Sequence, residues 1–447
     1  MQRSGMVARA RTGLAWPATR RALRVSGGPA WVLARLTGLP GWVQVVAAFM
    51  LAAFYAERLW SVYRDSGLFR RIGFDWGLFY GQAMALAAGD VGAMYHVDHL
   101  GTYVQRLVVY TATPDMPLLQ WPSPYPPLLA GVLLPLTLVP APLAFAMWSV
   151  LSLACAGHLI WRIGQLVPTA GRLRLAVILL TSLPVLQTLV LGQPVLFLAS
   201  TLAESYLALR RGAELRGGLW LGLLALKPQY GLLLGAFLIW KRRWYAVAGA
   251  VLSVGVVVGA SVLVAGPGAI WGYAGAVSAM GDFRDPYAAS AEMVNWRALI
   301  VNARPSIGNT SGVLLFSALS ALSVLGVAWY TRAPWRPRTP TLDWQLAAVL
   351  IATFLVSYHS HMHGLALLAV PLAALWRRSS EAPALRLALL GFVFLPTLAF
   401  VGVTAIGHGF AINYDEPLWV VWPVFNVALL AGLLAATLVW PKMARTT

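Results

Sequence analysis

Residues 210–243 read RRGAELRGGLWLGLLALKPQYGLLLGAFLIWKRR, an interrupted apolar run with basic residues on both sides. Arginines precede the apolar run 217–240, and the basic cluster 241–243 follows it. Because basic residues favour the cytoplasmic side of a membrane, both ends of the run favour the same side. The run is interrupted at 227–231 by Lys-Pro-Gln-Tyr-Gly, and proline ends a helix. The pattern predicts two short helices that form a re-entrant hairpin, with Lys227 near its tip.

A lysine at this depth in a membrane must be stabilised by its surroundings. An unpaired lysine near the centre of a bilayer costs about 2.5–3.5 kcal/mol on insertion scales. We therefore expect Lys227 to face a polar cavity or an anion. The alternative is that its side chain extends to the interface, as long basic side chains commonly do.

The composition is that of an integral membrane protein. Hydrophobic residues make up 59% of the 447 positions and charged residues 11%, against about 25% charged in soluble domains. Apolar runs recur between positions 41 and 440, which predicts an all-α polytopic protein. Although the net charge is +18, the basic residues form short clusters between apolar runs, so the sequence does not predict nucleic-acid binding. Cys155 is the single cysteine, so no disulfide forms within the chain.

The apolar runs predict how the chain crosses the bilayer. We expect a basic cytoplasmic tail at 1–39 and an integral domain at 40–447, with about 10–12 membrane helices. The predicted spans are 41–60, 143–161, 173–191, 194–209, 245–265, 312–330, 344–358, 364–376, 384–406 and 417–440. The apolar piece 126–140 lies between prolines and is short for a span, so we interpret it as an interfacial or re-entrant helix.

The charged residues give this layout its orientation. It places 24 of the 33 basic residues on the cytoplasmic side and 11 of the 15 acidic residues outside. Both termini are then cytoplasmic. The segments 61–142 and 266–311 form two outer loops, and the first of them carries interfacial helices. The predicted location is the bacterial inner membrane, with any active site on the periplasmic or exterior side.

The first outer loop contains a candidate base. Residues 73–89 read GFDWGLFYGQAMALAAG, an amphipathic run that suits the membrane interface. Asp75 lies between Phe74 and Trp76, so it is expected to be partly desolvated, which raises the pKa of a carboxyl and makes it a better base. The alternative is that Asp75 caps the helix that follows it.

Two further polar positions lie at predicted outer junctions. In WPSPYPP, residues 121–127, Tyr125 and Trp121 suit the headgroup level or a wall on which a sugar ring stacks. An interfacial aromatic belt explains these residues equally well. Gln193 lies in Gly-Gln-Pro at 192–194, where its amide offers a donor and an acceptor.

Three of the seven histidines lie in YHSHMH, residues 358–363, at the outer end of a predicted span. His359 and His363 are four residues apart and would share one face of a helix. A hydrogen-bonding or protonatable pair that faces a phosphate is one interpretation, and interfacial packing is another. A zinc pair lacks the accompanying carboxylate and a third ligand, so we predict no metal.

Taken together in order, these motifs resemble glycosyltransferase family 87, the polyprenyl-phosphate-mannose-dependent α-mannosyltransferases with the GT-C membrane fold. The resemblance covers most of residues 70–376. It rests on motifs found in this order: Asp75-Trp76, a glycine-bearing stretch ending at Tyr95, Tyr125-Pro126-Pro127, Pro135, Trp148, Gly192-Gln193, Lys227-Pro228-Gln229 and the histidines that precede 364–376. The chain departs from the family pattern at Pro194, where relatives often have Asn, and at Gly364, where many relatives have an acid.

The resemblance implies a set of site residues. Asp75 would be the catalytic base. One of His359, His361 and His363 would be a ligand of the donor phosphate, together with Lys227 in the same cavity. The cavity would be lined by Trp76, Tyr125, Gln193 and Gln229.

The resemblance also implies a reaction: inverting transfer of a sugar, mannose in the family, from a polyprenyl phosphate to a lipid or glycan acceptor. Donor, acceptor and membrane lipids are then the expected partners, without a cofactor. The absence of a glycine-rich nucleotide loop from the sequence agrees with a lipid-linked donor. The alternatives are a transporter or flippase of a lipid-linked sugar, and a structural or assembly subunit. A transporter built from inverted repeats would show related halves, and none are evident.

Overall fold

The computed structural model describes residues 41–66, 72–107, 123–280, 292–376, 394–396 and 417–443. The tail 1–39, Trp121 and nearly all of the predicted span 384–406 lie outside the described residues. Within them the regular secondary structure is helical, and an isolated antiparallel bridge pairs Met293 with His361. The all-α fold is confirmed.

Sixteen of the α-helices are numbered here in chain order. The first eight are α1 (Gly41–Ser66), α2 (Phe74–Ala87), α3 (Val97–Gln105), α4 (Pro127–Leu133), α5 (Ala141–Ile163), α6 (Thr169–Leu180), α7 (Leu183–Leu191) and α8 (Val195–Arg211). The others are α9 (Glu214–Gly222), α10 (Leu232–Trp240), α11 (Trp244–Ala279), α12 (Trp296–Ala303), α13 (Asn309–Tyr330), α14 (Pro340–Val356), α15 (Ala369–Trp376) and α16 (Pro417–Met443). Short 3₁₀ turns lie at Leu223–Leu226, Pro228–Tyr230 and Met362–Leu368.

The helices have the length and composition of a polytopic membrane protein. Among the described residues, three segments are long and apolar enough to cross a bilayer, and a bent pair makes a fourth. They are Ala141–Leu166, Trp244–Ala279, Asn309–Tyr330 and the pair Gly171–Leu180 with Leu183–Leu191. Six further apolar helices are shorter, at 10–17 residues. One of them is Pro127–Leu138, the piece judged short for a span.

Two of the predicted spans are not straight helices in the structure: one is bent and the other is kinked. The span 173–191 bends by 50° between α6 and α7, because Ser182 is extended and Pro184 starts the second helix. The span 245–265 continues as α11 to Ala279, with a kink where Gly266 takes a left-handed φ of 77° just before Pro267. Glycine accepts this conformation without steric cost, and proline fits the first turn of the helix that resumes.

The stretch 217–240 forms a hairpin. The guanidinium of Arg243, after α10, pairs with the carboxylate of Glu214 at the start of α9, so the two ends of the stretch meet. Between them, Lys227 has φ −138° and ψ 79°, which breaks the helical path. The ammonium of Lys241 donates to the backbone carbonyls of Thr331 and Ala333, beyond the end of α13. We call the region of the basic clusters 210–216 and 241–243 the basic end. The tip of the hairpin lies away from it.

Two long helices separate the basic end from the opposite end. Helix α8 begins just after Gln193 and ends in Arg210 and Arg211, a distance of about 25 Å for its 17 residues. Asp343 in the first turn of α14 accepts from the hydroxyl of Tyr206 at 2.6 Å and lies 3.5 Å from Arg210. Helix α14 therefore starts at the basic end, and its last residue, Val356, lies near the level of Gln193.

Helix α2 is more buried than its sequence predicts. Nine of its fourteen residues, including Trp76 through Ala83, are buried. The reason is that α3, α4 and the turn at Val91–Tyr95 pack around it, so most of its side chains lie inside the protein. Tyr80 donates to the carbonyls of Leu136 and Val139, which connects α2 to the segment after α4.

Glycines allow close contact between α9 and α11. A Cβ at Gly249 would overlap the backbone carbonyl oxygen of Leu215, and one at Gly218 would overlap that of Ala246. Gly222, four residues after Gly218, faces Ala250 in the same way. Small residues at this spacing let membrane helices approach closely enough for backbone contact. This contact fixes α9, and with it the hairpin.

We predict that Gly249→Leu destabilises the protein, because the side chain forces α9 away from α11. Overpacking of this kind costs about 1–3 kcal/mol. The matched control is Gly255→Leu on the same helix, where an added Cβ meets nothing within 4 Å. Melting temperatures in detergent should fall for the first variant and not for the second. Equal melting temperatures would contradict the close packing.

Candidate active site

The amide of Gln193 joins three segments that are distant in the sequence. Its nitrogen donates to the carboxylate of Asp75 in α2. Its oxygen accepts from the hydroxyl of Tyr125, and from the ammonium of Lys227 at 2.8 Å. Gln193, Tyr125 and Lys227 are buried, whereas Asp75 is partly exposed. One amide thus holds a carboxylate and a cation in a common site.

The backbone beside Gln193 requires glycine. Gly192 ends α7 in the left-handed conformation with φ 72°, and a Cβ there would overlap the Cβ of Trp76. The indole of Trp148 donates to the Gly192 carbonyl at 2.8 Å, and the Gly73 amide donates to the Val190 carbonyl at 2.6 Å. These contacts bring the end of α7 against the start of α2, which places Gln193 beside Asp75.

Asp75 is the second residue of α2, and its carboxylate accepts from Gln193. The N-cap position is occupied by Gly73, without a side-chain cap. Burial raises the pKa of Asp75, while the hydrogen bond from Gln193 and the charge of Lys227 partly oppose the rise. The carboxyl is therefore a stronger base than an exposed aspartate.

Trp76 lies behind this base. Its ring is fully buried and stacks on Tyr80 with centroids 4.5 Å apart, and Phe145 packs against it at 5.3 Å. It therefore supports the wall that carries Asp75 from behind, rather than forming an exposed surface on which a sugar could stack.

Lys227 lies among groups that suit a cation. Its ammonium is 3.2 Å from Nε2 of His363, and it lies over the rings of Tyr125 at 5.0 Å and Tyr230 at 5.9 Å. Aromatic faces attract cations, and this attraction strengthens when the cation is desolvated. The hairpin tip therefore places a buried ammonium group next to Gln193.

The three histidines form a chain that starts at Lys227. His363 stacks on His361 with ring centroids 5.6 Å apart, and Nε2 of His361 is 3.0 Å from Nε2 of His359. The expectation that His359 and His363 share a helix face is wrong. The segment 357–361 is not helical, because His361 is extended and pairs with Met293, and a 3₁₀ turn begins at Met362. Stacking and hydrogen bonding, not helical periodicity, bring the rings together.

His359 and His361 are neutral at pH 7. Burial lowers the pKa of both, and the charges of Lys227 and Arg297 lower it further, to about 3 for His361. These two imidazoles therefore act through hydrogen bonds rather than charge. Gln229 lies beside them and donates to the carbonyl of His359 at 3.4 Å. Within the described ranges, no three His, Cys, Asp or Glu side chains are placed to hold a metal ion.

A family model described as glycosyltransferase family 87 matches residues 124–357, more than half of the chain. The chain belongs to glycosyltransferase family 87. It is therefore a membrane-embedded glycosyltransferase, and the resemblance seen in its motifs is confirmed. No match was found among curated proteins or among solved structures.

The matched region of this glycosyltransferase contains Tyr125, Gln193 and Lys227. Asp75 and the three histidines lie outside that region, so the structure connects them to the matched core through Gln193 and Lys227. Gly364, one of the two positions at which the motifs depart from the resemblance, has a close neighbour here. A Cβ at that position would overlap the hydroxyl of Tyr230.

Two residues of the glycosyltransferase site, Tyr230 and Arg297, are not among the residues predicted from the sequence. Tyr230 is buried and lies beneath Lys227, but within the hairpin pattern it looked like part of the helix-breaking motif. Arg297 is fully buried in α12, close enough to the histidines to influence their pKa. A signal for Arg297 was available, because it is a basic residue in a predicted outer loop, where basic residues are uncommon.

We predict that Gly192→Ala lowers the transferase activity at least 10-fold, because the added methyl group moves Gln193 away from Asp75. Its matched control is Gly89→Ala, which has the same left-handed conformation, with φ 74°, but open space around the Cβ. Both variants experience the conformational strain of about 1 kcal/mol that a left-handed alanine brings. Equal activities in the two variants would show that contact with Trp76 is unimportant.

Proposed function

We propose that this glycosyltransferase moves a sugar, mannose in the first instance, from a polyprenyl phosphate to a lipid or glycan acceptor, with inversion at the anomeric carbon. The observation that carries the proposal is the Gln193 amide, which holds a partly exposed carboxylate and a buried ammonium in one site. A single displacement needs a base for the acceptor and a cation for the leaving phosphate.

The proposed reaction proceeds in one step. Asp75 takes the proton of an acceptor hydroxyl as that oxygen attacks the anomeric carbon. A new carbon–oxygen bond forms, and the bond from the anomeric carbon to the phosphate oxygen breaks, with its electron pair going to the phosphate. Lys227 stabilises the charge on the departing lipid phosphate, and the histidines supply hydrogen bonds. Asp75 then releases the proton to solvent.

An apolar groove supports a lipid donor. It lies between α6 and the segment that continues into α15, and its wall includes Ile178, Leu179, Leu365, Ala369 and Leu372. Leu365 is two residues beyond His363, so the groove begins next to the chain of histidines. A hydrocarbon chain in the groove would bury apolar surface while its phosphate remained near Lys227.

The distribution of charge supports an outward-facing site. Arg162, Arg210 and Arg243 belong to the clusters that the positive-inside rule assigns to the cytoplasm. The carboxylate partners of these arginines are Asp343 and Glu214, in the first turns of α14 and α9, and Glu204, near the middle of α8. We therefore propose that the site opens to the periplasm or exterior of a bacterial inner membrane and that both termini are cytoplasmic. Family membership favours transfer over the alternative of transport.

We predict that Asp75→Asn reduces kcat by about 10²–10⁴-fold, the usual contribution of a general base. Purified protein would be given a radiolabelled polyprenyl-phosphate sugar, and formation of glycosidic product would be measured. The matched control is Asp98→Asn, an exposed carboxylate of the same outer loop. Near wild-type turnover by Asp75→Asn would exclude this base.

We also predict the pH dependence of kcat/KM in the wild-type enzyme. The base must be ionised, and its pKa is raised above 3.8. Activity should therefore fall with decreasing pH through a value above the ordinary range of aspartate. An acid limb at or below pH 3.8 would contradict the assignment.

A further inference from the structure

The segment that carries the histidines is attached to the start of α12. Met293 and His361 form an antiparallel bridge, and the amide of Val294 donates to the carbonyl of Ser360 at 2.8 Å. The side chain of Asn295 caps α12 through the amide of Ala298 and also donates to the carbonyl of Ser357 at 2.8 Å. Two loops that are far apart in the sequence are therefore held together at this point.

Arg297 is fixed in this junction. It is the second residue of α12, and its side chain is fully buried. Its guanidinium carbon lies 4.4 Å from the centroid of the Tyr358 ring, next to His359 in the sequence. Arginine remains charged in proteins and stacks well on aromatic faces. A permanent positive charge therefore lies against Tyr358, close enough to His359 and His361 to influence both electrostatically.

The groups that face His359 and His361 come from three parts of the chain. Lys227 is on the hairpin tip, His363 is on the 3₁₀ turn, and Arg297 with the backbone of Glu292 is on the α12 side. The two cations and the neighbouring imidazoles disfavour protonation of the pair, whereas the hydrogen bond with the Glu292 backbone favours protonation of His361. The positive charge at this wall therefore comes from Lys227 and Arg297.

The proposed reaction needs more than one positive charge. A polyprenyl-phosphate sugar is a phosphodiester with one negative charge, and the departing phosphate gains a second as its bond to the sugar breaks. We propose that Arg297 is a positioning residue that acts through His359 and His361 to stabilise this second negative charge. Its charge is fixed before the reaction begins, and preorganised charge is effective in a buried site. This inference rests on the proposed function.

The test compares Arg297→Met with Arg297→Lys and with Arg304→Met, an exposed arginine just beyond α12. Loss of the charge in Arg297→Met should lower kcat on the order of 10- to 100-fold, less than the 10²–10³ lost with a donor that touches the developing charge. KM for the donor should change little, because the second charge appears only in the transition state. Arg297→Lys should retain most activity, and Arg304→Met all of it.

The split between kcat and KM separates this role from a structural one. A structural disturbance of the histidine segment would weaken donor binding and raise KM, whereas loss of a charge that acts in the transition state lowers kcat alone. A rise in KM as large as the fall in kcat in Arg297→Met would overturn the inference.

Two further controls show whether each variant folds and whether the proposed function itself holds. Melting temperature would be measured for each variant. If Arg297→Met does not fold, the inference depends on Arg297→Lys, and a folded but inactive lysine variant would overturn it. If the wild type transfers no sugar from a polyprenyl phosphate, the proposed function fails; if only the Arg297 predictions fail, the proposed function remains.

Discussion

The site depends on the amide of Gln193. An ammonium in direct contact with the Asp75 carboxylate would favour its ionised form strongly and reduce its basicity. The amide avoids this by donating to the carboxylate from one end and accepting from the ammonium of Lys227 at the other. The carboxylate and the ammonium are therefore close enough to act on one substrate while remaining separate. Tyr125, which also donates to the amide oxygen, fixes the orientation of Gln193.

The hairpin makes this arrangement possible. A lysine near the middle of an apolar stretch must be stabilised by its surroundings, and here it is surrounded by the Gln193 oxygen, His363 and two tyrosine rings. The ends of the hairpin remain at the basic end through the pair of Arg243 and Glu214. Close packing of glycines against α11 fixes the position of α9. The location of one cation thus depends on the packing of a whole supersecondary unit.

Much of this could be predicted from the sequence because its signals are local. The break at Lys227-Pro228 and the helix junction at Gly192-Gln193 follow from the properties of the residues themselves. The pairings could not be predicted, because Asp75 and Gln193 are 118 positions apart and only the folded chain brings them together. The prediction that His359 and His363 share a helix face is wrong, because the bridge with Met293, a contact between distant segments, overrides helical periodicity. Arg297 had a local signal, since it is a basic residue in a predicted outer loop, but its contact with Tyr358 joins distant segments. The burial of α2 depends on packing that its own sequence does not specify.

A double-mutant cycle between Gln193 and Lys227 tests whether the amide joins the ammonium to the base. The quantity measured is kcat/KM for transfer from a polyprenyl-phosphate sugar. The variants are Gln193→Leu, Lys227→Met and the double variant. If the amide acts by joining the ammonium to the base, the double variant should be little worse than the poorer single variant, with a coupling energy of about 1 kcal/mol or more. If the losses of the two single variants simply multiply in the double variant, the two residues act independently, and the account of the site is contradicted.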